Sequence, residues 1–569
     1  MRKSTVFVAL GVVSAVLTLC QCGGGGQVGD LSQDTFRPFA EQLDVRLAEL
    51  TRDVAVTNYE ASISGVEEDY ARSAAAQLAL VTTYSDEQTF GRLKDWKGAG
   101  TVVDPVLARH LEILYLNYLG NQLPEATLAE LVERASKIEK RFNTHRALVD
   151  GRELSDNELA EILRKSTVSA EVEKVWFASK EVGVEVADQI LELVKLRNQA
   201  ARELGFDNFQ LMELALSEQD PVEIEALFDE LDDLTRDEFA SAKAEIDAYQ
   251  AERFGISPDE LRPWHYQNPF FQEAPTIYPV DLDAYYAEAD LVQLTADYYS
   301  GLGLPVDDVI ARSDLFGKPG KYQHAFCEDV DRSGDVRVLC SITPNSYWMN
   351  TMLHEFGHGI YSKYNDPELP WSLRDAAHPF TTEAIANLFG RFAANPDWLH
   401  DVAGISADER DRIRSAADAS LRLEQLVFSR WSQVMFRFEK ALYEDPEQDV
   451  NTLWWDLVER YQLLQRPEGR DTPDWAAKIH VALYPAYYHN YLMGELLASQ
   501  LISHINREVL RTAETDSTSF AGRAEVGTFL RDEVFKPGRS LPWNEMILQA
   551  TGEELNASHF AAQFVGTSQ

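Results

Sequence analysis

Apolar residues recur at three- and four-residue spacing along most of this chain, which is the pattern of amphipathic helices. Long runs of it fall in residues 38–64, 108–123, 172–205 and 221–255, the last reading PVEIEALFDELDDLTRDEFASAKAEIDAYQAERFG. Glycine or proline marks most of the predicted helix ends. No repeat of roughly 20–50 residues and no long linker interrupts the pattern. We therefore predict an all-α fold, with a single domain of helical lobes over residues 35–569.

The helical pattern breaks around Cys327 and Cys340, the two cysteines outside the N-terminal segment. Between them lies EDVDRSGDVRVL, in which Ser333 to Asp335 form a turn signal between two β-compatible runs. This predicts a small β-hairpin whose strands bring the two sulfurs together. Since disulfides persist in exported proteins, we predict a Cys327–Cys340 disulfide, with two buried thiols as the alternative.

The N-terminus has the layout of an export signal. Arg2 and Lys3 precede an apolar run from Val6 to Leu19 that is too short to span a bilayer. We assign residues 1–22 to this signal and the glycine-rich residues 23–34 to a tether. The sequence therefore predicts an exported protein, periplasmic or attached to the cell envelope.

One cysteine of the signal offers a lipid attachment site. Cys20 precedes the glycine tether in a position that resembles a bacterial lipoprotein processing site, although Leu19 replaces the usual small residue. Lipidation at Cys20 would anchor the protein to a membrane. The neighbouring Cys22 is an alternative site for the lipid. The alternative is simple cleavage and release of a free periplasmic protein.

The charge balance is strongly acidic, and it restricts the partners that we expect. The chain has 52 Lys+Arg against 93 Asp+Glu, a formal net charge of −41. Such a field repels nucleic acid and anionic membrane surfaces, so we expect no nucleic-acid partner. An acidic, well-solvated surface accounts for most of this excess, and we assign it no further function.

The stretch TMLHEFGHGIYSKYN, residues 351–365, contains two histidines four residues apart. On a helix from Tyr347 to Tyr364, His354 and His358 project together, and this spacing lets two imidazoles share one Zn²⁺ ion. Glu355 lies about 100° round the helix from His354, so it can face the open metal position as a general base. An isolated HExxH also arises by chance, and a third ligand is therefore needed.

Glu383 is the best candidate for the third zinc ligand. It follows His358 by 25 residues in PFTTEAIANLFGRF, a predicted second helix. We expect Thr381 or Thr382 to cap that helix, with Glu383 in its first turn. A catalytic zinc has three protein ligands and one open position, which this set supplies.

These motifs resemble a known family. The segment LHEFGHGIYSKYNDPELPWSLRDAAHPFTTEAIANLF, residues 353–389, resembles the active-site region of the peptidyl-dipeptidase A family, that of angiotensin-converting enzyme. RNQAARELGFDNF, EADLVQLTADYYSGLGLP and DWAAKIHVALYPAYYHNYL resemble other parts of the same family. The resemblance implies a two-lobed helical ellipsoid with a deep central cleft and one Zn²⁺ at its floor. It also implies the release of dipeptides from the C-terminus of oligopeptides.

The resemblance assigns roles to individual residues. His354, His358 and Glu383 match the zinc ligands, and Glu355 matches the general base. The remaining matches contact the substrate: Lys478, Tyr488 and Gln267 at the terminal carboxylate, His480, His324 and Ala325 at the peptide backbone, and Tyr491 at the tetrahedral intermediate. A lysine ammonium beside hydroxyl and amide groups suits a free carboxylate, and a phenol suits an oxyanion.

Several positions depart from the family pattern. The interval from His480 to Tyr488 is one residue longer than in the family's animal members, so Tyr487 competes with Tyr488 for the carboxylate contact. Asn387 stands where those members have an aspartate that orients a zinc ligand, so that support must come from elsewhere. Val458 and Asn490 stand where they have chloride-binding arginines, so we expect no chloride at these sites.

Three functions remain to be separated. The leading hypothesis is a zinc dipeptidyl carboxypeptidase acting on oligopeptides. The first alternative is a zinc oligopeptidase that cuts internally, for which Lys478 is not required. The second is an inert helical peptide-binding protein, which the presence of Glu355, Tyr491 and the complete ligand set disfavours. The natural peptide, the physiological role and the oligomeric state do not follow from the sequence.

Overall fold

Helices dominate the computed structural model, as the apolar spacing predicts. The structure describes residues 30–278, 280–514 and 518–565, and 69% of it is helical. The helices of the N-terminal half are α1 (Gln33–Ser64), α2 (Glu67–Tyr84), α3 (Glu87–Ala99), α4 (Pro105–Leu119), α5 (Glu125–Thr144), α6 (Asp156–Lys165), α7 (Ser169–Glu203), α8 (Phe209–Leu216) and α9 (Pro221–Phe254). The predicted all-α class is confirmed.

The C-terminal half continues with shorter helices and one long helix, α16 (Ala407–Glu444). They are α10 (Asp283–Tyr286), α11 (Leu291–Gly301), α12 (Asp307–Arg312), α13 (Ser346–Lys363), α14 (Pro379–Gly390), α15 (Pro396–Asp401), α16 (Ala407–Glu444), α17 (Val450–Gln462), α18 (Ile479–Leu483), α19 (His489–His504), α20 (Ala524–Phe529), α21 (Trp543–Thr551) and α22 (Ser558–Phe564). One-turn 3₁₀ segments and two π-helical segments, Ile505–Leu510 and Leu530–Phe535, lie between them. No helix in the described ranges is long and apolar enough to cross a membrane.

Helix α9 shows how local chemistry sets an element's ends. The Asp220 side chain accepts the backbone N–H groups of Val222 and Glu223, which satisfies donors that a helix start leaves open. Pro221 occupies the first helical position, where a missing N–H costs nothing. Gly255 ends the helix at φ 66°, a conformation that glycine adopts freely.

Helix α1 begins at Gln33, inside the segment that we assigned to the tether. The last two residues of the predicted tether, Gln33 and Asp34, are therefore helical. The predicted signal with its candidate lipid-attachment cysteine, residues 1–22, lies outside the described residues, as do residues 23–29 of the predicted tether.

Two antiparallel hairpins accompany the helices. The predicted hairpin is present, with β3 (Phe326–Asp329) paired to β4 (Val336–Leu339). The other pairs β1 (Ala147–Val149) with β2 (Arg152–Leu154). Sequence reasoning missed this second hairpin, although its Asp150-Gly151 turn, with both φ angles positive, is a strong hairpin signal.

The predicted Cys327–Cys340 disulfide is not formed in the structure, where both residues are buried thiols. The hairpin register gives the reason. Cys327 pairs with Val338, so Cys340 lies two residues further along and faces Cys327 only diagonally. Diagonal neighbours in a sheet are about 7–8 Å apart, wider than a disulfide between unmoved strands requires. Burial raises the pKa of the Cys340 thiol well above its usual value.

The buried side chains form two large apolar cores. The first core surrounds α13, α14 and α19 and includes Phe356, Phe389 and Leu496. The second core surrounds α7, α16 and α17 and includes Trp176 and Trp431. Residues near the start of α19 contact both cores. A smaller third core holds α1, α3 and α4 together.

Candidate active site

Helix α13 presents the two predicted zinc histidines side by side. The Asn345 side chain caps its start by accepting the N–H of Trp348 at 2.9 Å. The His354 and His358 rings lie with their centroids 4.9 Å apart. His358 is buried, whereas the His354 side chain keeps 21% of its surface exposed. The histidine pair therefore faces an accessible space from a rigid helix.

Glu383 completes a three-residue cluster. Its Oε2 lies 3.8 Å from Nε2 of His354 and 3.9 Å from Nε2 of His358. The three ligand atoms lie within 4.8 Å of one another, and no other such His/Cys/Asp/Glu cluster occurs among the described residues. Two imidazole nitrogens and one carboxylate oxygen form a donor set that suits Zn²⁺ with one position left open.

The start of α14 differs from the prediction. The cap is His378, whose side chain accepts the N–H of Phe380, and Pro379 takes the first helical position. Proline is favoured there, so the helix begins earlier than expected and Glu383 lies in its second turn. Thr382 instead bonds Nδ1 of His358 through its hydroxyl at 2.8 Å. Thr382 therefore orients the His358 imidazole, which is the kind of support that the sequence leads us to expect away from Asn387.

Burial sets the protonation of this cluster. It lowers the pKa of His354 to about 3, so the imidazole is neutral, as a metal ligand must be. Burial, with a smaller contribution from the nearby Glu355 carboxylate, raises the pKa of Glu383 to about 7. Glu355 is 3% exposed. A divalent cation would relieve the cost of two buried carboxylates, so the residues fit a bound Zn²⁺.

Two glycines allow three helices to meet at the cluster. A Cβ on Gly357 of α13 would lie 3.0 Å from Cα of Ala386 on α14. A Cβ on Gly494 of α19 would lie 3.2 Å from Cβ of Glu383. Both distances are shorter than ordinary van der Waals contact, so α13, α14 and α19 reach this spacing only because the two side chains are absent.

Lys478 lies in a buried, largely aromatic setting. It is 7% exposed, and its ammonium donates to the Gln272 side-chain oxygen. Its Nζ lies 5.3 Å from the ring of Trp431 and 5.5 Å from that of Tyr488. It forms no salt bridge with any residue that the structure describes. Burial lowers its pKa to about 7, although the Glu273 carboxylate opposes this shift.

Tyr488 and His480 lie next to Lys478. The Tyr488 hydroxyl accepts the indole N–H of Trp431 at 2.7 Å. Between ring centroids, Tyr488 lies 5.1 Å from His480 and 5.2 Å from Tyr491. The substrate-contact residues predicted on this segment are therefore brought together.

The two adjacent tyrosines that compete for the carboxylate contact take different positions. Tyr488 is the one beside Lys478, whereas Tyr487 packs edge-on against Tyr491, with 5.2 Å between centroids. The Glu383 carboxylate raises the pKa of both Tyr487 and Tyr491, after the larger effect of burial. Tyr491 therefore lies between the zinc cluster and the Lys478 group.

Gln267 is not the amide that contacts Lys478. Its side-chain oxygen instead accepts the N–H of Thr276 at 3.4 Å, and its backbone has φ 65°. Gln272, five residues later, contacts the ammonium, and sequence reasoning missed it. The sequence offered Gln272 as a second glutamine in the segment RPWHYQNPFFQ. The turns of that segment bring its side chain to Lys478.

His324 and Ala325 lie at the start of the β3–β4 hairpin. His324 is exposed, and its ring lies 5.3 Å from that of Tyr322. Ala325 is half-buried and packs against the first core. Their contact with a peptide backbone stays a prediction.

The two positions of the family's chloride-binding arginines are buried and uncharged. Val458 is 3% exposed and packs in the second core. Asn490 accepts a hydrogen bond from the Gln219 amide at 2.7 Å, and the Gln219 carbonyl bonds Nε2 of His489 at 2.9 Å. Neutral groups therefore satisfy one another at Asn490, and an apolar side chain fills the other position.

Comparisons with known proteins agree with this geometry. A family model described as angiotensin-converting enzyme matches residues 32–254 and 272–565. The interval between the two matches contains Gln267, and the second match begins at Gln272.

Individual relatives are distant. The chain is 23% identical over 430 residues to angiotensin-converting enzyme of Theromyzon tessulatum, covering 70% of this chain and 69% of that protein. It is 25% identical over 270 residues to angiotensin-converting enzyme of Oryctolagus cuniculus, covering 45% of this chain and 20% of that protein. It is also 24% identical over 200 residues to an inactive angiotensin-converting enzyme-related protein of Caenorhabditis elegans, covering 34% and 22%.

Proposed function

Because the chain belongs to the angiotensin-converting enzyme family of peptidases, we propose that it is a zinc metallopeptidase that releases dipeptides from the C-terminus of oligopeptides. The cluster of His354, His358 and Glu383 supports the metal part of this proposal. We further propose, from the N-terminal sequence, that the protein is exported and held in the periplasm or at the cell envelope.

The observation that carries the dipeptide specificity is the setting of Lys478. Among the residues that the structure describes, the buried ammonium has a neutral amide as its hydrogen-bond partner and no salt bridge, which is costly unless a ligand supplies an opposite charge. A peptide's terminal carboxylate supplies it, and the Tyr488 ring lies 5.5 Å from the ammonium. An enzyme that cuts internally has no use for such a group, which is why we prefer release from the C-terminus.

The chain's own residues divide the work of hydrolysis. Zinc, when bound by His354, His358 and Glu383, supplies a Lewis acid that activates water and polarises the scissile carbonyl. Glu355 accepts the proton of the attacking water and later delivers it to the leaving amine. The Tyr491 phenol, whose pKa burial keeps high, donates a hydrogen bond to the oxygen on which charge develops.

Products from matched peptides test the specificity. We would incubate the zinc-loaded protein with oligopeptides that have a free or an amidated C-terminus and identify the fragments by mass spectrometry. The proposal expects sequential dipeptides from the free peptides and little cleavage of the amidated ones. Internal fragments from both forms would identify an endo-acting oligopeptidase, and intact peptides with zinc present would identify the inert binding protein.

Glu355→Gln tests the mechanism. The change removes the base and leaves the three ligands, so zinc content by metal analysis should stay near one ion per chain. Loss of general-base catalysis lowers turnover by about 10²–10⁴-fold. Near-normal turnover in this variant would remove Glu355 from the mechanism.

A further inference from the structure

A left-handed alanine lies between the residues expected to contact the substrate. Ala486, in the turn that joins α18 to α19, has φ 51° and is 8% exposed. A Cβ disfavours this conformation, which glycine, asparagine and aspartate adopt more readily. Since alanine has no side-chain group to stabilise it, the surroundings must impose the conformation, and such strain concentrates at functional sites.

Two buried side chains hold this turn from the second core. Glu439 of α16 is 2% exposed, and one of its carboxylate oxygens accepts the backbone N–H of Ala486 at 3.1 Å. Arg197 of α7 is 2% exposed and donates to the carbonyl oxygen of Ala482 at 2.7 Å. The turn is therefore bonded at both ends to long helices.

The conformation of the turn decides where the following side chains point. Tyr488 bonds the Trp431 indole and lies near Lys478. Its neighbour Tyr487 instead packs against Tyr491, on the side of the zinc cluster. A different φ at Ala486 would change the direction of the chain immediately before all three tyrosines.

We propose that Glu439 is a positioning residue of the active site. By accepting the N–H of Ala486, it maintains the left-handed turn that places Tyr488 beside Lys478 and Tyr491 beside the metal ligands. We assign it no contact with substrate or metal, and its proposed role is to hold the turn. This inference rests on the proposed function, because Tyr488 and Tyr491 have their roles there.

A double-mutant experiment on the full-length zinc-loaded enzyme tests this role. Glu439→Ala should lower kcat/KM for a free peptide by at least about tenfold. It should also raise KM, because Tyr488 moves away from the carboxylate site, whereas simple destabilisation lowers only the active fraction and hence kcat. Glu439→Gln keeps an acceptor oxygen and should stay near wild type.

Ala486→Gly supplies the decisive comparison. Glycine adopts the left-handed conformation without help, so Ala486→Gly alone should be near wild type, and it should restore Glu439→Ala to within about threefold of that level. A folded, zinc-loaded double variant as impaired as Glu439→Ala would overturn the proposal. If Glu439→Ala does not fold, Ala486→Val replaces it, since a β-branched residue resists this φ. Wild-type kinetics in Ala486→Val would equally overturn it.

Crystal structures separate this inference from the proposed function. In Glu439→Ala the Trp431–Tyr488 hydrogen bond should be lost, and in the double variant it should be present. This readout needs no turnover. If the wild-type enzyme cleaves no peptide, the proposed function fails while the structural comparison still decides the role of Glu439. An unchanged bond in a structure of Glu439→Ala would refute that role.

Discussion

At the scale of single residues, Lys478 has the clearest expected effect on substrates. Lys478→Ala removes a charge-assisted contact to the terminal carboxylate, worth about 1.5–3 kcal/mol. We expect kcat/KM for free peptides to fall by about tenfold or more, with little change for any residual cleavage of amidated ones. Lys174→Ala on α7, an exposed lysine paired with Asp150, is the matched control. Equal losses on both kinds of peptide would show that Lys478 does not bind the carboxylate.

The pKa of Lys478 gives a pH dependence with a definite sign. Burial lowers it to about 7, so in the free enzyme the ammonium is present below pH 7 and is lost above it. kcat/KM for free peptides should therefore decline above about pH 7, while kcat should hold to higher pH because a bound carboxylate favours the ammonium. In Lys478→Arg, whose guanidinium stays charged, the decline in kcat/KM should move to higher pH. An unchanged profile in that variant would assign the decline to another group.

The sequence predicted the metal-site residues better than their supports. His354, His358 and Glu383 follow from fixed spacings on helices, and the structure brings them together. Thr382 and Gln272 were missed because their contacts depend on where α14 begins and how the loop before α10 turns. Those features depend on tertiary packing, which periodicity does not contain.

At the scale of elements, the close packing of α13, α14 and α19 supports the site. Gly494→Ala would place a methyl group against Glu383 and the backbone of α14, so it should push α19 and Tyr491 away. We expect a fall in kcat of about tenfold or more, since small misplacements at a reacting centre are costly. Because the proposed ligands stand on the other two helices, the displacement of α19 should lower kcat by a larger factor than it lowers zinc affinity.

Gly357→Ala acts at the contact between the two helices that carry the ligands. Its new methyl group would meet the backbone of Ala386, so it should weaken zinc binding, measured by metal content after dialysis against a chelator. Gly91→Ala on α3 is the control for both variants, because nothing lies within 4 Å of the added Cβ. That change should be neutral or stabilise by about 0.5–1 kcal/mol. Normal activity in Gly494→Ala together with normal zinc affinity in Gly357→Ala would show that this packing can relax.

Long amphipathic helices were predictable because many apolar positions repeat the same signal along them. The ends of the helices were less predictable than the helices themselves. Helix α1 begins inside the predicted tether, and α14 begins before the predicted cap. The β1–β2 hairpin has strands of three residues each, too short for an alternating pattern to show. The position of Cys340 relative to Cys327 depends on register, which a turn signal alone does not fix.

At the scale of the whole molecule, we expect the response of activity to chloride to differ from that of the animal enzymes that this chain resembles. Val458 and Asn490 carry no charge to balance a buried anion, and burying an unpaired ion is costly. We expect activity to be nearly independent of chloride, with salt acting only by screening the net charge of −41. Rates at constant ionic strength, with acetate replacing chloride, measure this. Saturable activation of several-fold by chloride would mean that other cations, such as Arg460 or His489, form an anion site.

The division of the site between two cores has a consequence for product length. The proposed zinc ligands stand on helices of the first core, whereas Lys478 and Tyr488 belong to segments of the second. In the proposed mechanism a peptide is held at its scissile carbonyl and at its C-terminal carboxylate. The distance between these two contacts then sets the length of the fragment that leaves. Its two-residue length would then be a property of how two separately packed cores meet. Substitutions at the boundary between the cores should change the distance between the metal cluster and Lys478. They should then yield longer or shorter fragments with every catalytic group intact.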